Sequence, residues 1–206
     1  DFGLTLYYTT GLIFTGLSFS MAASVGMFNI GAEGQLLMGS LFATLTGVLF
    51  PQIPFPLAPL LAVGMAAVGG GLWAYIAAAL KAYRDSHEVI VTMMLNFIAA
   101  GLSGWVVLKI IPSPSSQNPE SAFLAPQFLF QNDFLKTALD QSPVSIAFFV
   151  ALLSALGVWI LLYKTRWGYE VRITGLNPEA ARRAGVSVFR TQIGAFTLAG
   201  ALAGGG

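Results

Sequence analysis

The sequence predicts an all-α, polytopic transmembrane helix bundle with a broken-helix region near 28–35 and a short cytoplasmic docking helix. Three observations carry this. Hydrophobic residues make up 56% of the chain and charged residues 9%, against roughly 25% charged in an ordinary soluble domain. The apolar residues fall into long runs parted by short polar or proline-rich breaks, as successive membrane crossings require. Positive charge is gathered rather than spread: eight of the ten Lys and Arg residues are Lys81, Arg84 or members of the stretch from Lys164 to Arg190. Such a bias holds loops on the cytoplasmic side.

Several function classes drop out on the same grounds. The net charge is only +1, so no basic surface argues for nucleic acid. The absence of cysteine removes disulfides, thiolate metal sites and cysteine nucleophiles together. No P-loop, Gly-x-Ser-x-Gly elbow or His-Glu-x-x-His helix occurs, so the chain neither holds ATP itself nor carries a hydrolase signature. No cofactor or metal site is expected.

In chain order, Leu4 to Met27 is apolar enough to span, with Thr5, Thr9, Ser20 and Ser24 within about a 100° arc at helical spacing. That face is expected to pack inward, unless its hydroxyls bond back to their own helix. FNIGAEGQ, residues 28–35, then puts Asn29, Glu33 and Gln35 among two glycines. At membrane depth such groups face protein or a water-filled cavity, and Gly31 and Gly34 would let the backbone break. The alternative is a surface loop with a solvated Glu33, because orientation counting puts this turn at the cytoplasmic side.

Leu36 to Phe50 is a short run, and PQIPFP, residues 51–56, is a rigid charge-free turn suited to the external side. Leu57 to Leu80 is a full span whose four glycines predict close helix approach, and Lys81 and Arg84 end it at a cytoplasmic turn. Val89 to Ile111 is the next span. Glu88, Thr92, Asn96 and Ser103 lie within about 80° on it, a polar stripe that must avoid lipid. His87, the one histidine, reads as a hydrogen-bonded boundary residue. The connection from Pro112 to Pro143, with five prolines and Lys136, is expected outside, with a short helix at 122–130 that lies in the interface or packs on the bundle and does not span. Val144 to Tyr163 spans again, and Trp159, Tyr163, Trp167 and Tyr169 form an aromatic belt at its inner end. Thr191 to Gly206 is short of the roughly twenty residues a span needs, so the chain is expected to be part of a longer one.

The basic stretch 164–190 spells a helix over 178–184. Asn177 caps it, Pro178 suits its first position, Glu179 favours the positive end and Gly185 closes it left-handed. Two turns are marginal alone, so the segment needs packing or a partner. On charge alone it is an ordinary orienting loop; the residue order adds more.

Glu179-Ala180-Ala181 followed by Gly185 resembles the Glu-Ala-Ala loop of ABC importer permeases. Thr165, Gly168, Arg172, Gly175, Asn177, Ala180, Ala181 and Gly185, continuing through Phe196 into Gly200-Ala201-Leu202-Ala203-Gly204, resemble the permeases that import simple sugars, nucleosides and branched-chain amino acids. FNIGAEGQ and HEVIVTMMLNFIA, residues 87–99, are similar to the nucleoside-type group, with His87 where that group more often has Asn. The resemblance implies one transmembrane permease domain over 1–206, incomplete at both ends, in the cell inner membrane. It implies an ABC ATPase subunit docking at Asn177, Pro178, Glu179, Ala180, Ala181 and Gly185, a second permease subunit and an extracytoplasmic substrate-binding protein. It also implies a translocation pathway near Asn29, Glu33, Gln35, Thr92 and Asn96. Arg182 and Arg183 are left to solvent or anionic headgroups. The rival class is a secondary transporter or channel without an ATPase partner, which the Glu-Ala-Ala loop alone separates from an importer.

Overall fold

The structure is a computed structural model that describes residues 2–84, 86–113, 120–128 and 146–206. The chain runs α1 (Phe2–Ser24), α2 (Ala32–Leu49), α3 (Leu57–Arg84), α4 (Glu88–Lys109), a 3-10 turn (Pro126–Phe128), α5 (Ala147–Lys164), α6 (Arg166–Leu176), α7 (Pro178–Arg183) and α8 (Val188–Gly204). Among the described residues no strand forms beyond a bridge between Pro112 and Ser121. Leu57–Arg84, Glu88–Lys109 and Ala147–Lys164 are long and apolar enough to cross a membrane. The all-α bundle with membrane-crossing helices is as the composition predicts.

α8 is the hub. Its Ala195, Phe196 and Ala199 are fully buried against Met21 and Val25 of the first helix and the turn after it, Ala74 and Ala78 of α3, Leu162 of α5 and Val171 of α6. A second cluster joins Met38 and Leu41 of α2 to Ala99 and Val106 of α4. Glycine makes the central crossing possible. A Cβ on Gly70 would lie 2.3 Å from the Gly200 carbonyl oxygen, and one on Gly39 would lie 2.3 Å from that of Gly204. Helix backbones touch there, which is how apolar helices gain packing energy where lipid offers no hydrophobic drive.

The bundle has two chemically distinct ends. Lys81 and Arg84 sit in the last turn of α3, and the Tyr83 ring meets Phe189 of α8 edge-on at 4.8 Å. The chain from Lys164 to Arg190 therefore shares an end with the α3–α4 turn, where Lys81 pairs with Glu88 at 3.5 Å. At the opposite end, Leu124 and Phe128 pack against the C-terminal part of α2 near Gly47, and Gln127 donates to the Pro51 carbonyl. The described part of the expected external connection is thus packed on the bundle through Leu124, Gln127 and Phe128, with a 3-10 turn at Pro126–Phe128 as its helical element. Ser116, Lys136 and residues 129–145 lie outside the described residues. In an otherwise cysteine-free full-length protein, a cysteine at Phe123, which is 85% exposed, should react with an impermeant reagent applied outside, and one at Ala184 should not. The reverse pattern would invert every side assignment.

Four expectations are corrected. Thr5 and Ser20 are exposed, not packed inward. Thr9 donates to Thr5 O at 2.7 Å and Ser24 to Ser20 O at 2.8 Å, so these hydroxyls are satisfied by their own helix and need no neighbour. The break after α1 begins earlier than 28, at the turn around Gly26, whose φ is +79°, and it runs through Gly31 but not to Gly34, which lies inside α2. The α3 helix continues through Lys81 to Arg84, because cations are favourable in a helix's last turn. Finally, the basic stretch holds α6 as well as the short helix. Its Gly168, Val171 and Thr174 are buried at spacings of three, a stripe that its charge and two glycines conceal.

Candidate functional site

Two polar assemblies stand at the basic end. The first is α7, and each of its boundaries is made by a side chain or backbone shape within one turn. Asn177 Oδ1 accepts from Ala180 N at 3.1 Å, and Pro178 occupies the first helical position. At the other end Gly185 N donates to Arg182 O at 3.1 Å and Val186 N to Ala181 O at 3.0 Å, the paired bonds of a Schellman closure. Gly185 has φ +85° with open space around its Cα, so backbone shape and not room demands glycine there.

Pro178, Glu179 and Ala180 are exposed, while Ala181 is buried to 1%. A small residue at 181 therefore serves packing within this chain. Glu179 meets Arg182 at 3.6 Å, with both side chains about two-thirds exposed, so the pair adds little and remains free to rearrange. Leu176, just before the cap, is 87% exposed. No large apolar residue among those described is more so. Sequence periodicity gave no sign of this, because only the path of the chain around the cap decides where Leu176 goes.

The helix is seated on the bundle through α6. Thr165 caps α6, accepting from Gly168 N at 3.0 Å while donating to Leu161 O at 2.6 Å. At the far end of α6, a Cβ on Gly175 would lie 2.3 Å from Ser24 O. Gly175 thus presses directly on the left-handed turn at Gly26 that ends α1. One short, well-packed helix, α6, thus stands between α7 and the break that parts α1 from α2.

The second assembly fills that break. Asn29 and Gln35 form a reciprocal amide pair, with bonds of 2.7 and 2.8 Å, and Asn29 Nδ2 also donates to Ser18 Oγ at 2.9 Å. All three are buried, and a fully satisfied polar network of this kind fixes one arrangement of the chain. Asn96 of α4 clasps the same segment from the side: its Oδ1 accepts from Gly34 N at 3.0 Å and its Nδ2 donates to Ile30 O at 3.1 Å. Thr92 is buried one turn earlier, its hydroxyl on Glu88 O at 2.8 Å, against Gly31. Gly31 and Gly34 accordingly admit α4. Four of the five polar residues named for the pathway are brought together, facing each other and the backbone. Glu33 stands apart, exposed in the first turn of α2, on the same helical face as the exposed Ser40.

Residues 2–205 match the family model described as "Branched-chain amino acid transport system / permease component". The chain belongs to this permease family. Among its relatives, it is 36% identical to the guanosine ABC transporter permease protein NupP of Bacillus subtilis, over 98% of this chain and 57% of that protein. It is 33% identical to the nucleoside ABC transporter permease protein NupB of Lactococcus lactis, over 98% and 56%. It is 35% identical to the glucose ABC transporter permease protein TsgB13 of Haloferax volcanii, over 98% and 55%. The chain therefore spans little more than half the length of these permeases. No solved structure matches it. In this permease the residues that sequence reading passed over are Ser18, Gly26 and Leu176. Gly26 was open to detection as the glycine nearest the end of the first apolar run.

Proposed function

We propose that residues 1–206 form part of one transmembrane permease domain of an ABC importer in the cell inner membrane. It passes nucleosides or simple sugars, driven by ATP hydrolysis on a separate subunit. Its other partners are a second permease subunit and an extracytoplasmic substrate-binding protein. The observation that carries this reading is α7: a two-turn helix with a cap at each end, presenting Glu179, Ala180 and an exposed Leu176 on the basic face of the bundle. Such a helix is too short to persist except on a support. An exposed leucine beside it offers about 2 kcal/mol to a partner that covers it. The ATPase subunit is that partner, with Asn177, Pro178 and Gly185 fixing the helix, Glu179 and Ala180 in contact, and Ala181 locking it to this chain. The substrate class is supported by the two nucleoside-type stretches and by relatives named for guanosine, nucleosides and glucose.

Alternating access then has a physical route. Closure of the ATPases displaces α7, α6 carries the displacement through Gly175 to Gly26, and the clasped segment 25–31 shifts α2 against α4. Of the pathway residues, Glu33 is the surface offered to substrate and water. Asn29, Gln35, Thr92 and Asn96 hold the wall in shape behind it.

The test uses the full-length permease coexpressed with its ATPase subunit. Leu176→Asp, Glu179→Lys and Gly185→Val should each reduce the ATPase retained on purification and uncouple ATP hydrolysis from substrate. Leu176→Asp should act most, by about thirtyfold in affinity if its full burial is lost, and Gly185→Val by roughly fivefold through the strained φ. Normal assembly and coupling in all three would make the loop an orienting signal and favour a secondary transporter.

A further inference from the structure

A groove of about 600 Å³ opens between the α5–α6 corner and the closing turn of α7, lined among others by Tyr163, Lys164, Arg166, Glu170, Arg172 and Val186. Three cations face one carboxylate there. None of the three takes part in a hydrogen bond or ion pair among the described residues, and Arg172 Nε is buried with no acceptor. The Arg172 guanidinium lies over the Tyr163 ring at 4.9 Å, and Lys164 Nζ over Trp159 at 5.4 Å, so aromatic faces hold the cations in place without neutralising them. The start of α6 borders the groove too, with its Gly168 N–H already taken by Thr165 Oγ1, so the side-chain cations are what the groove offers an anion. Its three cations outnumber its one carboxylate, Glu170.

The apolar surroundings say what carries that anion. Leu152, Leu156, Ile160 and Tyr163 are all exposed and follow one another at helical spacing down α5, a membrane-crossing helix. The strip ends in the groove. An acyl chain along the strip would set its phosphate among Lys164, Arg166 and Arg172, with Trp159 and Tyr163 at headgroup level. We propose that this groove binds the headgroup of one anionic phospholipid, such as phosphatidylglycerol, against the outer side of the α5–α6 corner. The inference rests on the membrane setting of this permease and not on docking at α7.

The experiment is native mass spectrometry of the full-length permease in detergent, titrated with phosphatidylglycerol or phosphatidylcholine, with and without millimolar inorganic phosphate. One phosphatidylglycerol should be retained in preference to phosphatidylcholine. Retention should fall about fivefold for Arg166→Gln, an exposed change, and about twenty-fivefold for Arg166→Gln with Arg172→Gln, taking each cation near a headgroup as one equal contribution. Arg172→Lys, which keeps the charge, should retain more lipid than Arg172→Gln at matched thermal stability. Equal retention of both lipids, or unchanged retention in the variants, would overturn the proposal. So would displacement by inorganic phosphate, which would make the groove a free-anion site, or by added ATPase subunit, which would make it a protein interface. The readout needs neither transport nor ATP hydrolysis, so it can fail while the importer reading stands.

Discussion

A Gly200→Val permease is expected not to fold, while Gly194→Ala, six residues earlier on the same helix, should unfold at or slightly above the normal temperature. A Cβ at Gly200 would lie 2.2 Å from Ala74 Cβ and 2.6 Å from Gly70 O. Neither atom is the free end of a flexible side chain, so helices α3 and α8 must separate. That separation opens the cluster around Phe196 and should cost at least about 3 kcal/mol, more for the branched valine than for a single methyl. At Gly194 the added methyl would meet only Trp167 Cζ2, at 3.5 Å, an ordinary contact. Removing a helix-interior glycine then favours folding by up to about 1 kcal/mol. Thermal unfolding in detergent, with the monodisperse fraction as a second readout, compares the two. A Gly200→Val protein that is monodisperse with an unchanged transition would show that the crossing is not close-packed.

Asn96→Ala and Glu33→Gln should separate two jobs that the sequence assigns together. Truncating Asn96 leaves Gly34 N–H and Ile30 C=O without their partner, at about 1–3 kcal/mol for each group that remains out of water. The expected result is a clear drop in thermal stability, with transport lost in step. Glu33 is exposed and unpaired among the described residues, so Glu33→Gln should shift stability by less than about 0.5 kcal/mol and change the kinetics of uptake alone. Equal stabilities for Asn96→Ala and the unaltered protein would remove the clasp. Unaltered uptake kinetics in Glu33→Gln would remove Glu33 from the pathway.

These contrasts also mark how far a one-dimensional reading reached. The short helix α7 was legible because its determinants act within one turn: Asn177 bonds Ala180, and Gly185 turns the chain back on residues 181 and 182. The spans Leu57–Arg84, Glu88–Lys109 and Ala147–Lys164 were legible because length and apolar content are sums over contiguous residues, whereas α1, expected to span as well, is not among the described helices apolar enough to cross. The α6 helix was missed because its buried face, Gly168, Val171 and Thr174, is neither large nor strongly apolar. The polar stripe of α4 was seen, but not its object. Asn96 closes on residues 62 and 66 positions away, and no local pattern ranks one distant backbone group over another.

By itself the sequence determined that this is a helical membrane protein, which loops gather positive charge, and where a short capped helix interrupts the basic stretch. Each of these follows from composition or from bonds between near neighbours. Only the tertiary structure decided that Asn29 and Gln35 satisfy each other, that Ala181 faces inward and Leu176 outward, and that Gly26 and Gly175 meet. It likewise decided that Lys164, Arg166 and Arg172 converge on one groove. The physical reason is the same in every case: a side chain's role depends on what the other helices place against it, and that is set by crossings such as Gly70 on Gly200 that bring distant parts of the chain within contact.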